Sequence, residues 1–173
     1  MTDDRPRFHY HAVKSPMMGR LARPYGVSER WHLRFLELAE HISQWSKDPS
    51  TKVGAVIIDP TSKAILSTGF NGLPRGIKDT DARLHDRDFK LLVTAHAELN
   101  AIIHAARFGH KVVGTFLYTS LSPCSHCASA IIQAGIACLV TTNDPFPARW
   151  HESFSGGRDM LIEAGVEIVT VER

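Results

Sequence analysis

The 173-residue chain is 43% hydrophobic and 22% charged, enough for one globular domain with a sizeable core and a squeeze for two. Its 20 basic and 18 acidic residues leave a net charge of +2, too balanced for wrapping long nucleic acid by counterion release, while a small anionic substrate is easily accommodated. No apolar run approaches the ~20 residues of a membrane helix, the N-terminus lacks the apolar core of a signal peptide, and three cysteines are an odd count for a disulfide framework; a cytoplasmic protein with reduced thiols and no membrane partner is expected.

Residues 1–30 differ from the rest. They carry Pro6, Pro16, Pro24, Gly19 and Gly26 among Arg5, Arg7, Lys14, Arg20 and Arg23, with little apolar periodicity, and read as an extended basic arm before a domain over residues 31–173. "WHLRFLELAEHISQWS" then places Trp31, Phe35, Leu38, Ile42 and Trp45 at helical spacing, and Asp48-Pro49 ends that helix. "VGAVIID" and "AILSTGF", separated by "PTSK", predict a hairpin. A polar insertion over 71–93 follows. The pattern next alternates: helix 96–108, strand 115–120, helix 124–134, strand 137–142, helix 155–164 and strand 167–171. A hairpin followed by αβαβαβ predicts an α/β fold, a three-layer α/β/α sandwich on a mixed five-stranded sheet.

The chemistry sits in "TAHAELNAI" (94–102) and "SLSPCSHCASAI" (120–131). C-x-x-C alone serves redox pairs and structural knuckles as readily as catalytic metals. Pro123 favours a helix start, which puts Cys124 and Cys127 on one face of a first turn where amide dipoles favour thiolates. His126 lies ~200° around that helix from Cys124 and should point away. A structural zinc takes four protein ligands, yet the only other cysteine, Cys138 in "AGIACLV", reads as a buried core residue. Three ligands and a water is the open, catalytic arrangement, with His96 as the third ligand and Glu98 as the proton carrier. Residues i and i+2 face apart in mid-helix, so both reach one cavity only if His96 stands at the very start, with Thr94 just upstream as a cap. A lone His-x-Glu is most often a solvated helix end, and the chain has ten histidines. Joined to P-C-x-x-C, it becomes the zinc nucleobase-deaminase signature.

The sequence resembles the cytidine and deoxycytidylate deaminase superfamily, most of all its deoxycytidylate (dCMP) deaminase branch. The matching stretches are "SKDPSTKVGAVI", "GFNGLPRG", "HAELNAI" and "SPCSHCA", with "QAGI" after them, in the family's order across residues 31–142. The arm before Trp31 and "RLHDRDFK" (83–90) fall outside the resemblance. It implies a cytidine deaminase-like fold, one catalytic Zn2+ per chain on His96, Cys124 and Cys127, and Glu98 relaying protons to N3 of the pyrimidine and to the departing amino group. The product would be dUMP with ammonia, a step toward dTMP supply. It further implies Val53 against the base, Asn71 on the sugar hydroxyl, the Ala97 N–H on the pyrimidine carbonyl and the Ser122 carbonyl receiving the amino group. Phosphate candidates near the mouth are Lys47, Ser50, Thr51, Lys52 and Arg75, each as readily a solvated surface residue, and Trp150 either closes over the nucleotide or simply packs. Relatives are often hexameric, so a homo-oligomer is expected, and some are controlled by dCTP and dTTP with Mg2+.

Three rivals stay open on sequence. A nucleoside deaminase such as free cytidine deaminase usually has a cysteine as its first zinc ligand, where this chain has His96. A tRNA adenosine deaminase shares the zinc motif, against which stand the near-neutral charge, Asn100 in "HAELNAI" and the insertion with "GLPRG". A non-enzymatic structural zinc module predicts four protein ligands and a dispensable Glu98.

Overall fold

The computed structural model describes residues 6–11, 26–143 and 148–172. Within the basic arm, Arg5, Lys14, Pro16, Gly19, Arg20, Arg23 and Pro24 lie outside the described residues. The strands are β1 (Arg7–His11), β2 (Gly54–Ile58), β3 (Ile65–Phe70), β4 (Phe116–Thr119), β5 (Cys138–Thr142) and β6 (Glu167–Glu172). The helices are α1 (Glu29–Ser43), α2 (Asp81–His85), α3 (Arg87–Val93), α4 (Ala97–Arg107), α5 (Ser125–Gln133) and α6 (His151–Glu163). The sheet runs β1-β6-β5-β4-β2-β3, with β4, β5 and β6 parallel and the other pairings antiparallel.

The mixed sheet is as expected, but it has six strands instead of five. The sixth is Arg7–His11 from the arm, paired antiparallel with β6 from Arg7↔Glu172 to His11↔Ile168. Four of its five side chains are exposed, so an edge strand of this kind carries almost no alternation to read. The insertion holds two short helices the periodicity did not predict, each opened by a capping side chain: Thr80 accepts from the Arg83 amide and Asp86 from the Phe89 amide. Among the described residues, no helix is long and apolar enough to cross a membrane.

Strand alternation sorts the core into two clusters, one on each face. Val56, Ile58, Phe116, Tyr118, Val140 and Val169 meet Phe35, Leu36, Ala39 and Ile42 of α1. Ala55, Ile57, Leu117, Leu139 and Ile168 meet α4, α5 and α6 through Ala97, Ala101, Ala128, Ile131 and Leu161. Two glycines let helices touch the sheet backbone. A methyl group on Gly54 would overlap Ala39 and Ser43 of α1, and one on Gly69 would overlap Ala97 and Ala101 of α4. Gly69→Ala is therefore expected to cost about 1–3 kcal/mol as α4 is levered off β3, read as a lowered thermal midpoint; an unchanged midpoint contradicts this packing.

His32 of α1 is fully buried beside Tyr118, its Nδ1 3.0 Å from the phenol oxygen, and its Nε2 has no hydrogen-bond partner among the described residues. Burial pushes its pKa down to about 4. Between that value and about 6.5 the unfolded chain binds the extra proton and the folded chain does not, so stability rises with pH across this window and is lost as pH falls through it. Up to about 3 kcal/mol is at stake. Urea midpoints at pH 7 and pH 4.5 should differ accordingly, and His32→Phe should flatten the difference; a variant that titrates like the parent contradicts the assignment.

Candidate metal centre

The site is built where α4 and α5 begin. His96 is the N-cap of α4 and Cys124 the N-cap of α5; both have extended backbones, and neither side chain caps its own helix. The i, i+2 objection is thereby met, because His96 stands half outside the helix and Glu98 in its first turn. Two details differ from the sequence expectation. Thr94 closes α3 and does not open α4, and Pro123 stands one residue before the N-cap instead of in the first turn. The loop is anchored by reciprocal bonds between Gly72 and Ala95, 3.1 and 2.9 Å long, and by Asn100 Nδ2 donating to the Phe70 carbonyl at 2.8 Å.

His96 Nδ1 lies 3.4 Å from Cys124 Sγ and 3.4 Å from Cys127 Sγ, and the three donor atoms fall within 4.8 Å of one another. A tetrahedron with Zn–S of about 2.3 Å and Zn–N of about 2.0–2.1 Å has an S···N edge of roughly 3.5 Å. The donor set therefore fits zinc. Cys138 is buried in β5 within the core, and exposed His126 is outside the donor group. The Cys127 thiol and His96 hold Cys124 down to about 3, while Cys127 is pushed up beside that thiolate and by burial. A cation removes the conflict, since coordinated thiols deprotonate outright. His96 is held up chiefly by its bond to Cys124.

Glu98 is 3% exposed, with Oε2 3.6 Å from Cys127 Sγ. Burial pushes its carboxyl above the usual carboxylate range, against the pull of its own backbone N–H and of His96. A carboxyl so placed, beside the donor atoms, can serve as a proton carrier.

A cavity of about 690 Å³ opens on the donors. Val53, Asn71, Ala97, Glu98, Ser122, Ser50, Thr51 and Trp150 all line it beside His96, Cys124 and Cys127. Asn71 is already engaged: it accepts from the Val53 amide at 2.8 Å and donates to the Thr51 carbonyl at 2.9 Å, which leaves one amide hydrogen and one lone pair for a ligand. The Ala97 N–H belongs to the first helical turn, whose amides have no intrahelical acceptor. Three phosphate candidates lie elsewhere. Lys47 pairs with Asp79 at 2.8 Å and Arg75 meets His104 at 3.0 Å, both on a neighbouring cavity of about 700 Å³, while Lys52 lines neither.

Sequence reasoning missed the cations that do line the site, Arg87, Lys90 and Arg149. Lys90 is committed to Asp48, at 3.0 and 3.1 Å, and Asp48 accepts from the Ser50 and Thr51 amides at 2.8 and 3.1 Å. Those bonds hold Asp48 below its usual range despite burial. The ion pair thus ties the insertion to the "KDPST" loop. Arg149 stacks 4.9 Å over Trp150. The basic run in "RLHDRDFK" was the available signal for Arg87 and Lys90.

Two sulfurs and an imidazole around an open position, with a buried carboxyl beside them, define a metal site suited to hydrolysis. The chain belongs to the cytidine and deoxycytidylate deaminase family, whose zinc-binding region matches residues 29–143. It is 44% identical over 142 residues to an uncharacterized deaminase in the luxG 3′ region of Aliivibrio fischeri, spanning 80% of this chain and 92% of that one. Deoxycytidylate deaminase of Enterobacteria phage T2 is 33% identical over 177 residues, spanning 80% and 90%. The dCMP deaminase of cyanophage S-TIM5, solved in complex with dCMP and dUMP, is 27% identical with a TM-score of 0.68, covering 83% of this chain and 98% of that one.

Proposed function

We propose that the chain is a zinc-dependent dCMP deaminase, converting dCMP and water to dUMP and ammonia. The observation that carries the reading is the buried Glu98 carboxyl 3.6 Å from a sulfur of the His96, Cys124 and Cys127 cluster. The relatives named deoxycytidylate deaminase and the dCMP-bound cyanophage structure support the substrate. His96, Cys124 and Cys127 would hold one Zn2+, which supplies the Lewis acidity that brings deprotonation of water near neutral pH. Glu98 takes the proton of the attacking water and carries it to N3 of the base. It then takes the remaining proton from the hydroxyl now bound to C4 and gives it to the amino group, which leaves as ammonia while the C4 carbonyl forms, so that Glu98 alternates between base and acid. Val53 packs on the base, the Ala97 N–H meets the pyrimidine carbonyl, Asn71 offers its remaining amide hydrogen to the sugar, and the Ser122 carbonyl receives the amino group. Trp150 closes the nucleotide side.

For the phosphate, Arg87 and Arg149 on the rim join Ser50 and Thr51; Lys90 positions the loop through Asp48. The proposal takes residues 31–173 as the deaminase domain and 1–30 as an arm, part of which is β1. It takes the enzyme as cytoplasmic and as a homo-oligomer, a hexamer being implied by the family resemblance alone, with Leu99 and Ile103 exposed on α4 as a surface for assembly. Regulation by dCTP and dTTP with Mg2+ is carried by the family resemblance alone.

An ammonia-release screen over dCMP, dCTP, cytidine and a tRNA anticodon hairpin tests the substrate. dCMP should be turned over with the highest kcat/KM. Activity confined to the hairpin would overturn the reading in favour of a tRNA adenosine deaminase.

A further inference from the structure

The first amides of a helix need an outside acceptor, normally the side chain of the N-cap residue. In α5 that residue is Cys124, and its sulfur is turned to His96, 3.4 Å away. The first amide of the helix finds its acceptor on a different helix. The Ser125 amide donates to Ser153 Oγ of α6 at 3.2 Å, and the two hydroxyls lie 3.1 Å apart. The approach is close because Gly157, one turn along α6, has no side chain: a methyl group there would stand 3.1 Å from the Cys124 carbonyl carbon and from the Ser125 nitrogen.

We propose that Ser153 is a positioning residue for the metal centre, supplying from α6 the acceptor for the first amide of the helix that carries both cysteines. The inference rests on the zinc reading above. By fixing the Ser125 amide, Ser153 holds the backbone immediately after Cys124 and so sets the direction of its Cα–Cβ bond. Cys127, three residues on in the same turn, follows. Ser153 also lines the nucleotide cavity, three residues past the 3-10 turn of Ala148–Trp150, so one helix end shapes both the substrate wall and the cysteine turn.

The test is equilibrium competition for Zn2+ against a chelator of known affinity, with the purified full chain and three variants. Ser153→Ala should weaken zinc binding ~10–100-fold, the range for supporting groups around metal ligands. Ser153→Thr keeps the hydroxyl and should restore most of the affinity. Ser155→Ala removes a hydroxyl of the same helix that bonds only the Glu152 carbonyl at 3.3 Å, and should change nothing. Amide hydrogen exchange on the unmodified zinc-loaded chain adds a readout independent of any variant's folding: the Ser125 N–H should be protected. Unchanged zinc affinity in Ser153→Ala, an equal loss in Ser155→Ala, or an unprotected Ser125 amide overturns the proposal. A parent chain that binds no zinc overturns the functional reading instead.

Discussion

Glu98→Gln is expected to keep the fold and the zinc while losing turnover ~10²–10⁴-fold, the usual worth of a positioned general acid and base. The substitution is nearly isosteric at a position only 3% exposed, so it opens no cavity. What it removes is a site that can hold a proton, and the proposed chemistry needs two protons carried in turn, one to N3 and one to the leaving amino group. The measurement is dCMP turnover beside zinc content and thermal midpoint. Near-full activity in the variant contradicts the mechanism, whereas lost zinc would show that the carboxylate supports the metal and does not relay protons.

The second large effect is expected at the other end of the nucleotide. Removing the 5′-phosphate should lower kcat/KM steeply, because charge-assisted bonds to that group both bind and orient the base over the metal. Arg87→Ala or Arg149→Ala should cost dCMP about 1.5–3 kcal/mol, roughly ten- to a hundredfold, and leave deoxycytidine nearly untouched. Arg75→Ala and Lys52→Ala should do little, since neither lines the cavity that holds Glu98. Equal efficiency on dCMP and deoxycytidine contradicts the nucleotide reading, and a large, phosphate-specific loss in Arg75→Ala would move the phosphate to the neighbouring cavity.

What could be read in the sequence was local. Apolar spacing around Phe35 and Ile42 defines α1, the runs flanking "PTSK" define the hairpin, and the spacings of His96, Cys124 and Cys127 define the donor set, with Glu98 beside it. The conflict between His96 and Glu98 was itself informative, because only a helix start resolves it, and that is where His96 lies. What was missed is non-local or poor in periodicity. The strand Arg7–His11 exists only through pairing with β6 at the far end of the chain. Lys90 and Asp48 are 42 residues apart, and no spacing rule links them. The start of α6 at His151, four residues before the expected boundary, hides Ser153 from a reading that stops at the loop. Lys47, Lys52 and Arg75 lie within the matched motifs, but a motif does not give the direction of a side chain; the fold turns Lys47 and Arg75 toward Asp79 and His104.

Zinc stoichiometry and dCMP turnover measured on the same protein decide whether zinc held by His96, Cys124 and Cys127 is catalytic. Metal is removed with a chelator and returned in steps. Deamination of dCMP should rise in proportion to zinc and saturate at one ion per chain. Zinc bound at one per chain, with no ammonia released from dCMP or any other cytosine nucleotide, would contradict it and make the site a structural one.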